Sequence, residues 1–69
     1  MSMYHFYAEI YYNGNKADGL YKYGSGVVDT IREPHETGWY DEIRENIARE
    51  IGASSTNPKR VIVMSLTKI

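Results

Sequence analysis

Cysteine is absent from the 69-residue sequence, which removes disulfides, thiolate nucleophiles and Cys-ligated zinc together. No apolar run is long enough to span a bilayer, and no basic-then-apolar leader opens the chain. Neither membrane insertion nor export is therefore predicted, and a cytoplasmic location is expected. A surplus of one charge sign is also missing, since the net charge is −1 and the pI is near 6.0. No basic cluster exceeds two residues, so the footprint of a polyanion-binding surface is lacking. Disorder is excluded by a hydrophobic content of 42% at this low net charge. A chain of 8.0 kDa is expected to form one small domain over residues 1–69. It holds no internal repeat and no low-complexity tract.

What is present is a tyrosine-rich opening. In residues 3–12, Tyr4, Phe6, Ala8, Ile10 and Tyr12 form one alternating set, and His5, Tyr7, Glu9 and Tyr11 form the other. Period two with many aromatics predicts a strand, the first set facing the core. The second set is unusual, because Tyr7 and Tyr11 stand where charged residues would be ordinary. Asn13-Gly14 is a strong hairpin signal, since both residues tolerate positive φ. Asp18-Gly19 allows a longer connection through Lys16 instead. The register stays open between the two, and a slip of one residue would exchange the faces of the next strand. That strand is expected over residues 20–29. Gly24-Ser25-Gly26 interrupts it, as a bulge or as a gap beneath a neighbouring tyrosine. Residues 30–38 turn polar, and Pro34 excludes a central strand there.

Trp39, Ile43, Ile47 and Ile51, spaced by four and joined by Tyr40 and Ala48, make the apolar stripe of a helix over residues 38–51. Thr37 is the expected N-cap, and Asp41 and Glu42 suit the positive end of the dipole. Glu45 and Arg49 form an i,i+4 pair, and Gly52 stops the helix. Residues 53–59 read as a loop. Residues 60–69 are the last strand, and the run of Val61, Ile62, Val63, Met64 and Leu66 suits a central or doubly buried position. The order β-β-α-β predicts an α+β fold, with a three-stranded, mainly antiparallel sheet and one helix packed on one face. A parallel pairing of the last strand with the first would instead make the helix part of a right-handed crossover. The expected core is Phe6, Ile10, Trp39, Ile43, Ile47, Ile51, Ile62, Met64 and Leu66.

No catalytic constellation emerges. His35, within Glu33-Pro34-His35-Glu36, offers one imidazole and two carboxylates in no recognised ligand spacing. His5 sits alone on the aromatic strand. Gly24-Ser25-Gly26 is followed by no Lys-Ser/Thr pair, and no Gly-x-Ser-x-Gly occurs. Asp41, Glu42, Glu45 and Glu50 fall largely on the helix face away from the isoleucines, where water keeps carboxylates ordinary. The sequence predicts no enzyme, no metal site and no cofactor. The candidate interaction face is Tyr7, Tyr11, Tyr21 and Tyr23. Such a face could stack bases, with Lys16, Lys22, Arg32, Lys59, Arg60 and Lys68 meeting phosphates. Against this stand the pI near 6.0 and the lack of any basic cluster above two residues; the charge is only weakly asymmetric, +3 from residue 53 onward and −2 over residues 37–51.

A chain this short buries only about 60% of the surface it exposes when unfolded. With no disulfide and no metal, idealised packing or oligomerisation must supply the rest. One helix covers one sheet face. The other would carry Tyr7, Tyr11 and one apolar set of the last strand, a patch of the kind that marks an interaction site. The plainer alternative is that these rings lie flat with their hydroxyls in water. The Tyr4-His5-Phe6-Tyr7 opening and the Val61-Ile62-Val63-Met64-Ser65-Leu66-Thr67-Lys68-Ile69 ending, around a single helix, resemble small uncharacterised open reading frames of bacteriophages and enterobacterial prophages. The resemblance implies a bacterial cytoplasmic setting and an accessory role, such as modulating a host or phage protein; it implies no activity and no site residues. The expectation is a non-enzymatic protein–protein interaction module acting as a homodimer. The alternative is a nucleic-acid-binding accessory protein that uses the tyrosine face.

Overall fold

A computed structural model describes residues 2–53, 57 and 60–69. The elements follow in the order β1 (Ser2–Tyr11), β2 (Leu20–Thr30), α1 (Trp39–Glu50) and β3 (Val61–Lys68). The sheet order is β2-β1-β3, with both pairings antiparallel. The fold is α+β, as the element pattern predicts. The aromatic strand β1 is central. The hairpin leaves one edge of β1 open, and the chain returning from α1 adds β3 there. The apolar strand β3 is therefore an edge and not the central strand its composition suggests.

The connection from β1 to β2 is the longer of the two expected forms. Tyr12 N–H donates to Gly19 O at 2.9 Å, closing two tight turns, Tyr12–Gly14 and Lys16–Asp18. Asn13, with φ of 56°, holds the left-handed conformation that its short side chain tolerates. Where the strands meet this loop, Ile10 pairs with Lys22 and Tyr11 with Leu20, so Tyr21 is an extra residue in β2. The Gly24-Ser25-Gly26 segment carries no bulge. It pairs in unbroken register with Ala8, Tyr7 and Phe6, and its glycines face α1 rather than a tyrosine.

Helix α1 starts at Gly38 and not at Thr37. Gly38 has φ of 88° and its carbonyl accepts from Glu42 N–H at 2.9 Å; a left-handed start favours glycine over threonine. The helix ends as Gly52 predicts. Gly52 N–H donates to Arg49 O and Ala53 N–H to Ala48 O, at 3.2 and 2.7 Å, which is the paired hydrogen bonding of a Schellman stop. Ile43, Ile47 and Ala48 are buried, whereas Tyr40 is exposed and packs under the Arg44 guanidinium.

The core lies between α1 and one sheet face, where Tyr4, Phe6, Ala8, Ile10, Val28 and Val61 meet Ile43, Ile47, Ala48 and Ala53. Trp39, Ile51, Val63 and Leu66 pack around it, Trp39 edge-on to Tyr4. Ile62 and Met64 do not belong to it, contrary to expectation. Ala8 pairs with Val63 but Tyr7 pairs with Ser65, leaving Met64 as an extra residue in β3. A bulge of this kind changes which residues face inward. Val61 and Val63 point to the helix before it and Leu66 after it, while Ile62 lies on the opposite face. The expected loop over 53–59 falls mostly outside the described residues.

Candidate interaction face

The sheet face turned away from α1 has no covering layer among the described residues. Register assembles it into rows across the strands. Ser25, Tyr7 and Ser65 form the middle row. Tyr23, Glu9 and Ile62 lie on one side, and Val27, His5 and Thr67 on the other. Met3 pairs with Asp29 beyond these, and Met3 O accepts from Ile69 N–H. Tyr7, Tyr23, Val27 and Met3 are all exposed, Tyr23 at 64%.

Glu9 organises this surface. Tyr11 Oη donates to Glu9 Oε1 at 2.5 Å and Tyr7 Oη donates to Glu9 Oε2 at 3.0 Å. Alternation along a strand puts residues 7, 9 and 11 on one face, so the spacing Tyr-x-Glu-x-Tyr is enough to bring the two phenols to one carboxylate. These hydrogen bonds, that from Tyr11 foremost, hold the Glu9 carboxyl below the usual glutamate range. The same bonds push the Tyr7 and Tyr11 phenols up. Lys16 Nζ lies 5.8 Å from the centre of the Tyr11 ring. Sequence reasoning names both tyrosines and overlooks Glu9, although the i±2 spacing was there to be read.

The expected tyrosine set is split. Tyr7, Tyr11 and Tyr23 gather around Glu9. Tyr21, displaced at its bulge, packs edge-on to Tyr12 at 5.2 Å between ring centres. Together with Tyr11, these two rings and Arg60 help to line a cavity of about 380 Å³ beside the hairpin loop.

Lys16 stands beside the Tyr11 ring, but the other basic residues do not collect on the tyrosine face. Lys22 points to the helix side and donates to Gly52 O at 3.0 Å. Arg32 pairs with Glu42 at 3.5 Å. Lys68 pairs with Tyr4, a residue of the helix side, Arg60 belongs to the cavity, and Lys59 lies outside the described residues. Several carboxylates are engaged elsewhere. Both oxygens of Glu33 accept from the Ser2 hydroxyl, Asp41 pairs with Arg44, and Glu45 pairs with Arg49. Glu42 does not face water as expected, for it accepts from the backbone N–H groups of Ile31 and Arg32. Among the described residues no three His, Asp or Glu side chains form a group able to hold a metal ion.

No protein-family model, curated protein or solved structure matches this chain. Function is argued from the site itself. No helix among the described residues is long and apolar enough to cross a membrane.

Proposed function

We propose that the chain is a non-enzymatic protein-interaction module that acts as a homodimer through the open face of its sheet. It works in the bacterial cytoplasm, in the accessory role that the likeness to phage and prophage reading frames implies. The observation that carries this reading is the uncovered face itself, with Tyr7, Tyr11 and Tyr23 grouped about Glu9 and Met3 and Val27 exposed beside them. Contiguous exposed apolar surface marks association sites, and a twofold dimer uses one self-complementary patch on each copy.

Sedimentation equilibrium over a wide concentration range tests it, with a mass near twice 8.0 kDa expected. Tyr7→Glu combined with Tyr11→Glu should return the monomer, because each substitution places a charge in an apolar contact. A wild type that stays monomeric at high concentration overturns the homodimer. A double variant that still dimerises moves the association to the exposed backbone edges of β2 or β3.

Nucleic-acid binding is the second reading, favoured by the exposed rings and opposed by the carboxylate of Glu9 in their midst. Binding to phosphates weakens steeply with salt, so a complex with single-stranded nucleic acid that survives added salt would argue against it.

A further inference from the structure

The open face is self-complementary when the order of its rows is reversed. We infer that two copies pack sheet on sheet about a twofold axis lying across the strands at Tyr7, so that His5 of each copy meets Glu9 of the other. This rests on the homodimer reading above and specifies its geometry.

Face-to-face packing of identical sheets needs an axis within the interface plane, and sheets whose strands stay nearly aligned have it either across the strands or along them. An axis across the strands reverses the order of rows while keeping each strand over its own copy. The middle row, Ser25-Tyr7-Ser65, then lies over itself. Two small serines flank the one large ring on each copy, which leaves space for both Tyr7 rings at the axis. The row Tyr23-Glu9-Ile62 lies over Val27-His5-Thr67 of the second copy. Each superposition matches in kind, with an aromatic on a β-branched side chain, a carboxylate on an imidazole, and Ile62 on the methyl group of Thr67. Further along the central strand, Met3 meets Tyr11, a contact that thioethers make favourably with rings.

An axis along the strands fails the same test. It would set Glu9 against Glu9 and His5 against His5. The two Glu9 carboxylates would then be like charges opposite each other across the interface, which is costly. Glu9 has spare capacity for the crossed partner, because an ionised carboxylate offers about four acceptor sites and the phenols of Tyr7 and Tyr11 occupy two of them. Twisted sheets pack at about −30°, so register is held most firmly in the rows beside the axis, where these pairs lie.

Cross-linking reads the register directly, and the chain's lack of cysteine leaves no background. Ser25→Cys and Ser65→Cys are near-isosteric, solvent-exposed changes in the middle row. Each should be joined to its own copy by a short bismaleimide. Asp29→Cys should not, since the axis puts its two copies about 26 Å apart along the strands. The carboxylate–imidazole contact is read separately, as His5→Glu should weaken the dimer about tenfold or more by setting carboxylates against each other. Circular dichroism establishes that each variant keeps the helix. If linkage occurs only in a mixture of Ser25→Cys with Ser65→Cys, the axis runs along the strands and the inference is wrong. A dimeric mass with neither serine site cross-linked overturns the register while leaving the homodimer standing. A monomeric wild type removes the homodimer reading itself, and this geometry with it.

Discussion

Ile51 sits directly over Gly24, so close that a Cβ at position 24 would stand 2.7 Å from Ile51 Cγ2. This is where the C-terminal end of α1 comes down on the sheet. Two residues earlier in β2, Lys22 Nζ donates to the free carbonyls of Ile51 and Gly52 at 3.4 and 3.0 Å, compensating the negative end of the helix dipole. Glycine in a strand interior is normally unfavourable. Here it is what lets helix and sheet approach.

Position 24 should therefore respond to added volume quite differently from position 26. A Cβ at Gly26 would meet Phe6 Cε1 at 3.5 Å and Glu50 Cγ at 3.7 Å, which is ordinary contact. Gly24→Ala should cost about 1–3 kcal/mol through overpacking. Gly26→Ala should be neutral or stabilise by up to about 1 kcal/mol, because it restricts the unfolded chain. In an Ile51→Ala background the cost at position 24 should shrink, as expected for residues in contact. Urea denaturation of the four variants checks this. Equal effects at positions 24 and 26 would show that the helix does not rest on Gly24.

The bulge at Met64 makes a second prediction. Val61 is 3% exposed and Met64 is 48% exposed, although both belong to one continuous apolar run. Val61→Ala should cost about 2 kcal/mol, and Met64→Thr should stay within about 0.5 kcal/mol. Denaturation midpoints in the reverse order would return β3 to the register in which Ile62 and Met64 face the helix.

These two sites mark the limit of what the sequence makes legible. Strong periodicity is read correctly. The stripe Ile43, Ile47 and Ile51 becomes the inner face of α1, Phe6 and Ile10 enter the core, and Gly52 ends the helix. Each depends on local spacing, which the chain carries within one element. The face of β3 depends on a pairing with β1, more than fifty residues away in sequence, and on a bulge that an unbroken apolar run does not announce. The role of Gly24 depends on Ile51, a residue of another element. The tyrosine face is half legible for the same reason. Tyr7 and Tyr11 follow from alternation within β1, whereas the separation of Tyr21 from Tyr23 follows from the bulge opposite Ile10 and Tyr11.

The phenols on the open face carry a prediction of their own. Hydrogen bonding to Glu9 is the leading cause of the raised pKa of both Tyr7 and Tyr11. Replacing the carboxylate with an amide removes its charge and weakens those bonds. Glu9→Gln should therefore bring both phenols back down toward the ordinary tyrosine range. Tyrosine Cζ chemical shifts followed through an alkaline titration resolve the two residues individually. Should both midpoints be the same in the variant and the wild type, the phenols do not donate to Glu9 in solution.

Glu42 gives the acid-side counterpart. Its side chain is 13% exposed and bridges from α1 to the end of β2, accepting from Ile31 N–H at 2.8 Å and Arg32 N–H at 3.1 Å. The bond from Ile31, reinforced by the Arg32 backbone and guanidinium, holds its carboxyl below the ordinary glutamate range. A carboxyl whose folded pKa is depressed binds its proton more readily in the unfolded chain. The stability it contributes is fully present above the unfolded value and is lost as pH falls through the folded one. Glu42→Gln keeps the shape and one acceptor but not the charge, so it should cost about 1–2 kcal/mol at neutral pH, part of the roughly 1.5–3 kcal/mol that hydrogen bonds to charged groups contribute. The gap should narrow steadily below the ordinary glutamate pKa, where the wild-type side chain also becomes neutral. Urea midpoints for both proteins, measured from pH 7 down into the acid range, provide the comparison. A gap that is absent at neutral pH, or that stays constant into acid, would mean that the Glu42 carboxylate does not tie the start of the helix to the end of β2.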